Sequence, residues 1–339
     1  MGKSRNKKIL FFGDIFTNTG PGIANKMTLK CLKKIFLVYE NNANKILNMI
    51  TLPILLLLSD IVFIASKSRI NFLLIKISKL FSKKIIYLMH GYSTKEAIIE
   101  KKNNKYISKC KKYDNFIMKN CDLIVFVSEN FKNYMIDEFP KFKNKFKHIN
   151  NTMNTCNWKN FRNNVNNEFM IVSAGGDRLI KNNIIVAKAI LELVEEGYDI
   201  CYHICGSADR FTALFKNNKS IILEGNLLQD DFYKLLNKSN LYIQNSTFEA
   251  FGMAVIEAFS NGNDILISKN VGALSIFTNI SNNNIIYNIN SIEEIKSKIK
   301  QLIENPTFDV LKSGNVGYFV SEEYQTKCLK TILDEILTC

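Results

Sequence analysis

Short runs of β-branched and aromatic residues alternate with helix-length amphipathic segments along the whole chain. Strands that alternate with helices are typical of parallel sheets joined by crossover helices. In the first 150 residues, the runs predict strands at Lys8–Phe12, Ile61–Ala65, Ile85–Met89 and Leu123–Val127. The segments between them predict helices at Asn25–Leu37, Asn71–Phe81 and Asn130–Glu138.

A second alternating set begins after Lys141–Asn167, a stretch rich in Asn and Lys that lacks clear periodicity. Its strands are predicted at Phe169–Ser173, Asp199–Ile204, Ser220–Leu223, Leu241–Gln244, Asp264–Ser268 and Ile285–Tyr287. Its helices are predicted at Asn183–Glu196, Asp230–Asn237, Met253–Ser260, Ile292–Glu304 and Glu322–Leu337. We expect two α/β domains joined by a linker at Asn150–Asn167, with a ligand cleft between them, because open parallel sheets bind at the carboxyl ends of their strands.

The segment Ile46–Ala65 is largely apolar and about as long as the 20 residues that a membrane-spanning helix needs. Pro53 and the pair Ser59-Asp60 interrupt it. We interpret it as a helix that ends near Leu58, a turn, and a buried strand at Ile61–Ala65. The basic start Met1–Lys8 precedes an apolar run that is too short for a signal peptide, so we expect a cytoplasmic protein.

The charge of the chain is uneven. Its 339 residues are 47% hydrophobic and 22% charged, which supports packed cores and argues against wholesale disorder. Residues 1–150 hold 28 Lys and Arg against 10 Asp and Glu, a balance of +18 within a total of +14. A basic half attracts nucleic acid, an anionic membrane face or phosphorylated substrates, although a Lys- and Asn-rich proteome gives the same composition.

The eight cysteines include no CxxC pair and no His/Cys spacing of the kind that zinc sites use. We therefore expect reduced thiols, no zinc site and no disulfide framework. We also expect no cofactor. The basic runs consist mostly of Lys and are not interleaved with aromatic residues, which argues against nucleic-acid binding.

The segment Ser246–Phe259 carries the strongest chemical signal. A strand ends near Gln244, a loop carries Glu249, and Gly252 opens a helix on which Glu257 lies one to two turns in. Amides at such a helix start bind phosphate, and the two carboxylates lie at most about 12 Å apart along the helix axis. One carboxylate can hold a ribose while the other reaches a sugar beyond a diphosphate. Taken alone, two Glu residues at this spacing are more often solvated charges.

Two further loops follow predicted strands. Ser173–Asn183 passes two glycines before a helix, and Lys181 adds a point charge beside that helix start; the alternative is a plain surface turn. Gly13–Asn25 is not GxGxxG and has no acidic residue in the ribose position, so a dehydrogenase is disfavoured. His90 directly follows a strand and so belongs at a sheet's carboxyl edge, whereas His148 and His203 are interpreted as structural.

The spacing of Ser246, Glu249, Phe251, Gly252 and Glu257 resembles the signature of retaining family-four glycosyltransferases of GT-B fold, the glycosyl transferases group 1. The stretch from Asn261 to Gly272 is also similar, with Asp264 where the family usually has Pro. The loop with Arg178 and Lys181 is similar to one that grips the nucleotide diphosphate, and Arg178 stands closer to the Lys than in the family. The segment Gly20-Pro21-Gly22 and the residue His90 resemble the family's donor-phosphate loop and cleft His.

This resemblance runs from about residue 9 to residue 335 and implies two Rossmann-like parallel-sheet domains that face each other across a cleft. The implied domains are 1–155 on the acceptor side, 168–318 for the nucleotide sugar, and a C-terminal helix, 319–339, that returns to the first domain. The implied catalytic residues are Glu249, His90 and Lys181. The implied donor-binding residues are Gly22, Arg178, Lys181, Phe251, Gly252, Met253 and Glu257, with no metal ligand among them.

The resemblance implies a retaining hexosyltransferase that moves a sugar from a nucleotide-diphosphate sugar to the hydroxyl of a glycan or lipid-linked acceptor. Bacterial surface polysaccharide or glycoconjugate synthesis is the expected setting. The basic first half would meet the inner face of the cell membrane through lysines such as Lys101, Lys105 and Lys141. The alternatives are a non-catalytic GT-B partner subunit or accessory protein of glycosylation, and a nucleotide-sugar epimerase.

Overall fold

The computed structural model describes residues 7–17, 19–153, 168–215 and 218–338. Most of the predicted linker Asn150–Asn167, Asn18 of the first loop, and two of the eight cysteines, Cys156 and Cys339, lie outside the described residues. The chain forms two compact units: the first consists of residues 1–94, 104–154 and 318–339, and the second of residues 95–103 and 155–317. The six described cysteines are free thiols.

The first unit is built on a six-stranded parallel sheet with the order β2-β1-β3-β4-β5-β6. The strands are β1 (Lys8–Gly13), β2 (Leu37–Glu40), β3 (Ile61–Ala65), β4 (Lys84–Met89), β5 (Leu123–Phe126) and β6 (Phe146–His148). The helices in this part of the chain are α1 (Gly20–Lys33), α2 (Lys45–Leu58), α3 (Ile70–Leu80), α4 (Ser93–Ile99), α5 (Asn104–Asn120) and α6 (Glu129–Glu138). Most of α4 lies in the segment 95–103, which belongs to the second unit. Every residue of β3 is buried, as expected for a central parallel strand.

The second unit repeats this architecture with a parallel sheet of order β12-β11-β10-β7-β8-β9. Its strands are β7 (Phe169–Ala174), β8 (Ile200–Cys205), β9 (Ile221–Gly225), β10 (Leu241–Gln244), β11 (Asp264–Ser268) and β12 (Ile285–Ile286). Its helices are α7 (Asn183–Glu195), α8 (Asp209–Phe215), α9 (Gln229–Leu236), α10 (Met253–Ser260), α11 (Ile292–Glu304) and α12 (Phe308–Lys312). Helix α7 packs on the sheet through Val186, Ile190 and Leu193, all fully buried.

Two helices follow: α13 (Val316–Phe319) at the end of the second unit's chain segment, and α14 (Glu322–Thr338), which belongs to the first unit. Helix α14 packs against α1, where Glu322 accepts hydrogen bonds from Lys30 and Lys34. The buried Gln325 donates to the carbonyl of Asn150 at 3.1 Å. The C-terminal helix is therefore part of the first unit.

The predicted strands and helices are all present, with ends that differ by a few residues. Helix α1 begins five residues before the predicted Asn25 because Thr19 caps it: the Thr19 hydroxyl accepts from the amide of Gly22 at 3.2 Å, and Pro21 occupies its first turn. The interpretation of Ile46–Ala65 is confirmed, since α2 ends at Leu58 and β3 follows. Of the described helices, none has the length and apolarity to cross a bilayer.

The pattern missed β2, β6, α4, α5, α8, α12 and α13. Strand β6 lies in the stretch Lys141–Asn167 that lacks clear periodicity, just before the predicted linker, and it follows a 3₁₀ turn at Pro140–Lys145. Both missed strands lie at sheet edges, are three or four residues long and include partly exposed positions. A short edge strand of this kind contains too few apolar residues to produce a readable alternation.

Asp264, the residue that departs from the family pattern, links the start of β11 to the start of α12. Its carboxylate accepts hydrogen bonds from the amide and hydroxyl of Thr307 at 2.6 and 2.8 Å and from the amide of Ile265 at 2.9 Å. Burial raises the pKa of the Asp264 carboxyl, which these donors partly offset. The role of this residue is structural.

We predict that Asp264→Ala lowers the free energy of unfolding by about 3 kcal/mol, because it leaves several buried donors without an acceptor. Urea denaturation of the full chain measures this. Glu304→Ala, an exposed carboxylate at the end of α11, is the control and should change stability by less than about 0.5 kcal/mol. Equal effects of the two substitutions would contradict the assignment.

Candidate functional site

The carboxyl edge between β7 and β10 is the topological switch point of the second unit. The two strands are parallel neighbours, and the chain continues from β7 to one side of the sheet and from β10 to the other. Their following loops therefore meet at one edge, where open α/β sheets bind ligands. The amide of Thr247, after β10, donates to the carbonyl of Ile180, after β7, at 2.8 Å.

These two loops bring Lys181 and Glu249 together. The Lys181 ammonium lies 2.5 Å from a carboxylate oxygen of Glu249, and both side chains are largely buried. The side-chain amide of Gln244 donates to the same carboxylate at 3.1 Å. The Tyr242 hydroxyl donates in turn to the Gln244 carbonyl oxygen at 3.3 Å, which fixes the orientation of that amide. The Glu249 carboxylate is thus held by donors from two neighbouring loops and strands.

The backbone of Glu249 is equally constrained. Its amide donates to the carbonyl of Asn270 at 3.1 Å, and its carbonyl accepts from the amide of Gly272 at 2.9 Å. The carbonyl of Phe251 accepts from the amide of Ala273 at 2.6 Å. The segment after β11 therefore fixes the loop that carries the Glu249 carboxylate through these backbone hydrogen bonds. The sequence analysis noted this segment because it ends at Gly272.

Two glycines make room for this cluster. Gly175 has φ of +98°, and a Cβ there would lie 2.6 Å from Cγ of Lys181. Gly252 has φ of +100° and precedes α10, and a Cβ there would lie 3.0 Å from Val271. The first glycine lets the Lys181 stem cross the loop, and the second lets the chain enter the helix in a conformation that other residues rarely adopt.

Glu257 lies one turn into α10 and is half-buried. It accepts a hydrogen bond at 3.3 Å from the hydroxyl of Tyr233 on α9, and Gln229 donates to that hydroxyl at 2.8 Å. Burial raises the pKa of the Glu257 carboxyl. Burial also raises the pKa of Tyr242, and the negative charges of Glu249 and Glu257 add to this shift, so both carboxylates lie within electrostatic range of one phenol.

The remaining predicted donor residues of the second unit divide into two groups. The backbone amides of Gly252 and Met253 lie at the start of α10, where amides have no acceptor within the helix, and the ring of Phe251 is buried beside them. Arg178 is about half exposed, and its guanidinium lies 3.5 Å from Glu100. The structure therefore brings Lys181, Glu249 and the α10 start together, whereas Arg178 pairs with a different carboxylate.

His90 and Gly22 belong to the first unit, near its own switch point between β1 and β3. The side-chain amide of Asn25 donates to the carbonyls of Asp14 and Ala65 at 3.0 and 2.7 Å, so its oxygen faces Nε2 of His90 at 2.6 Å. The imidazole must donate in this contact, which places its proton on Nε2. Burial lowers the pKa of His90 to about 4, so the ring is neutral near pH 7.

The loop before α1 uses the Gly22 amide for its own cap, as described above. A Cβ at Gly22 would lie 2.6 Å from the carbonyl oxygen of Thr17, so only glycine fits this turn without a shift of the backbone. The position is thus explained by the close packing of the loop.

Sequence reasoning missed Gln244, Tyr233 and Asn25, which position the Glu249, Glu257 and His90 side chains. Gln244 had a readable signal, because it is a polar residue at the end of an otherwise apolar buried strand. Tyr233 lies on a separate helix, 24 positions before Glu257, and no spacing rule links the two residues.

Comparison with known proteins identifies part of the chain. Residues 156–316 match the family of glycosyl transferases group 1. This segment belongs to that family. The resemblance stated from the sequence is therefore confirmed for the segment that carries Lys181, Glu249 and Glu257.

One relative of this chain is an uncharacterized glycosyltransferase of Methanocaldococcus jannaschii. It is 26% identical over 279 residues, and the match covers 72% of this chain and 65% of the relative. This chain thus spans less than two thirds of the length of that curated relative.

Solved structures extend the likeness over both units. Anabaena HepE in complex with UDP-glucose is 14% identical, covers 98% of this chain and all of its own, and has a TM-score of 0.67. A Rickettsia africae glycosyltransferase is 20% identical, with 98% of both chains covered and a TM-score of 0.68. A sucrose-phosphate synthase of Thermosynechococcus elongatus is 12% identical, covers 98% of this chain and 99% of its own, and has a TM-score of 0.72. At these identities the likeness shows the fold, which is GT-B.

We predict that His90 makes the stability of the protein dependent on pH. The pKa of His90 is about 4 in the folded chain, against an ordinary value of 6.5. Between these pH values the unfolded chain therefore binds more protons than the folded chain. The free energy of unfolding falls as the pH drops from 6.5 to 4. Between pH 7 and 4.5, the free energy of unfolding should fall by about 2 kcal/mol more for the wild type than for His90→Gln. Urea denaturation at both pH values measures the difference, and parallel losses would refute the assignment.

Proposed function

We propose that the protein is a retaining glycosyltransferase that moves a hexosyl group from a nucleotide-diphosphate sugar to an acceptor hydroxyl. The observation that carries this proposal is the cluster of Lys181, Glu249 and Gln244 beside the α10 start, at the switch point of a group 1 glycosyltransferase segment. The HepE structures contain UDP, UDP with glucose, or UDP-glucose, which supports a nucleotide sugar as donor.

The departing diphosphate gains negative charge as the bond between the sugar and phosphate breaks. Lys181 and the amides of Gly252 and Met253 supply positive charge and donors to it, and they are fixed before the reaction begins. In the structure the Glu249 carboxylate forms an ion pair with the Lys181 ammonium. A bound diphosphate carries more charge than one carboxylate and competes for the same ammonium, which frees Glu249 for the sugar. The proposed reaction requires no metal, and activity in excess EDTA tests this.

Glu249, once free, accepts hydrogen bonds from hydroxyls of the donor sugar and orients its anomeric carbon. Retention follows from attack on the same face: the acceptor oxygen bonds to that carbon as the phosphate oxygen leaves, and the acceptor proton passes to the departing oxygen. Glu257 accepts hydrogen bonds from the ribose diol, and Tyr233 fixes its carboxylate for this role. Arg178 adds charge near the diphosphate loop.

The first unit is proposed to serve the acceptor side. The neutral His90 imidazole, with Nδ1 available as an acceptor atom, is suited to a hydroxyl donor rather than to an anion. The acceptor class is a glycan or a lipid-linked glycan, in bacterial surface polysaccharide or glycoconjugate synthesis on the cytoplasmic side of the membrane. The positive charge of the first 150 residues, which includes Lys101, Lys105 and Lys141, favours contact with the anionic surface of that membrane.

The cheapest experiment incubates the full chain with a panel of nucleotide sugars and measures release of nucleoside diphosphate. Release with one or a few donors supports transfer or its hydrolytic side reaction. Binding of a nucleotide sugar without release, with or without acceptor extracts, would instead favour a non-catalytic partner subunit. Analysis of the anomeric configuration in the product tests retention.

We predict that substitutions of Glu249 and Glu257 affect different kinetic parameters. Glu249→Gln should lower kcat by about 100-fold with a small change in donor KM, because its contacts strengthen in the transition state. Glu257→Ala should raise donor KM by about tenfold with a smaller change in kcat, because ribose binding is equal in ground and transition states. Steady-state kinetics of diphosphate release measures both parameters.

The control is Glu195→Gln, an exposed carboxylate at the end of α7, which should leave both parameters within about twofold of the wild type. Small and equal effects of the Glu249 and Glu257 substitutions would count against this division of roles.

A further inference from the structure

Helix α2 is largely apolar, with Asn48 and Thr51 as the polar residues between Ile46 and Leu58, and one of its apolar faces is exposed. From Ile46 to Leu58 the helix contains no charged residue. Leu52 and Leu56 pack into the first unit, whereas Ile46, Ile50, Ile54 and Leu57 are exposed on another face, with Ile50 62% and Ile54 57% accessible. This spacing places the exposed residues along one line of the helix. A helix with so few polar residues is normally buried or in contact with lipid.

The end of α3 continues this surface. The side chains of Leu73 and Leu80 are exposed, with 80% of Leu80 accessible to solvent. Phe81, the next residue, is also exposed. The ammonium of Lys83 donates to the carbonyls of Leu57 and Ser59 at 3.1 and 2.6 Å, so the ends of α2 and α3 lie side by side. We refer to Ile46, Ile50, Ile54, Leu57, Leu73 and Leu80 as the α2–α3 apolar face.

Cations surround this face. Lys76, Lys79, Lys83 and Lys84 lie on α3 or just after it, and none of them forms an ion pair among the described residues. The nearby carboxylate of Asp60 is already engaged, by the Lys7 ammonium at 3.6 Å and by the backbone amide of Lys8 at 2.8 Å. Lys79 and Lys83 donate to neutral oxygens, those of the Asn120 side chain and of the Leu57 and Ser59 carbonyls, so these contacts leave the positive charge at this edge uncompensated.

The other end of α3 adds a cationic cavity. A space of about 190 Å³ lies between the first turns of α3 and α5, lined by Lys67, Arg69 and Lys109 and by rings including Phe72 and Tyr106. The Asp114 carboxylate interacts electrostatically with Lys67, whose ammonium also donates to the Cys110 sulfur at 3.4 Å. Arg69 and Lys109 form no ion pair among the described residues. Three cations and aromatic rings around one cavity suit a phosphate ester that carries an apolar group.

We propose that the α2–α3 apolar face docks the protein on an anionic phospholipid bilayer, with α2 lying in the interface and the cavity taking a lipid phosphate. Fourteen residues make a helix of about 21 Å, shorter than the roughly 30 Å hydrocarbon core, so α2 lies along the surface rather than across it. The apolar side chains enter the acyl boundary, and the lysines meet the headgroups. A second copy of the chain is a poorer occupant, because pairing two such faces brings their uncompensated lysines together.

This docking is independent of the proposed sugar transfer and needs neither donor nor acceptor. The test is flotation of the full chain with vesicles of phosphatidylcholine alone or with about one third phosphatidylglycerol. The wild type should float with the anionic vesicles and several-fold less with the neutral ones, and high salt should reduce the bound fraction. Failure to float with anionic vesicles at low salt overturns the proposal.

The decisive variant is Ile50→Glu/Ile54→Glu, which places two charges on the exposed face without touching the core. It should reduce vesicle binding by about tenfold or more. The matched control is Leu214→Glu/Leu228→Glu in the second unit, where the side chains are 63% and 77% exposed and the charge change is the same. The control should bind like the wild type. Equal losses in both variants, or retained binding in the first, would refute the assignment.

Two further readouts complete the experiment. Thermal unfolding followed by circular dichroism should show that both double variants fold. Light scattering that finds a dimer, dissociated by Ile50→Glu/Ile54→Glu, would assign the face to a second copy and overturn the membrane proposal. Arg69→Gln/Lys109→Gln should reduce the preference for anionic over neutral vesicles several-fold, with the α3 lysines accounting for the remainder. An unchanged preference would exclude the cavity as the phosphate site.

Discussion

The Lys181–Glu249 ion pair is the contact on which the candidate site depends. Both groups are largely removed from water, so each is tolerable there only because the other is present. The glycine at 175, the Gln244 amide and the latch at Asn270–Ala273 all serve to hold these two charges at one distance. Because these groups are already in place, little free energy is lost to reorganisation when a charged ligand replaces Glu249 as the partner of Lys181.

The two units hold together the loops at their switch points with different hydrogen bonds. In the second unit a backbone hydrogen bond from Thr247 to Ile180 joins the loops that leave the divergent strands. In the first unit one side chain, Asn25, reaches the carbonyls at the ends of both β1 and β3. Each device stops the loops from separating where the chain changes direction, and each leaves one polar group, Glu249 or His90, in a defined orientation.

The parts that sequence predicted well are those in which local pattern and burial agree. Strands β3, β10 and β11 and helices α10 and α11 were predicted at their observed bounds, because buried parallel strands are unbroken apolar runs and these helices have clear starts. Tertiary partners such as Tyr233 could not be found, since only the folded chain brings α9 beside α10. The sequence predicted α2 as a helix that ends near Leu58 but not which of its residues are buried, and the exposed line through Ile50 and Ile54 became visible only in the structure.

The position of α14 has a consequence for biosynthesis. The second unit is almost continuous in sequence, whereas the first unit is completed by a helix that is synthesised after nearly every residue of the second. The ribosome therefore finishes the second unit while α1 still lacks the contacts of Glu322 and Gln325. Domains usually mature in order from the amino terminus, but here the amino-terminal unit stays incomplete, and open to chaperones and proteases, until α14 has been synthesised.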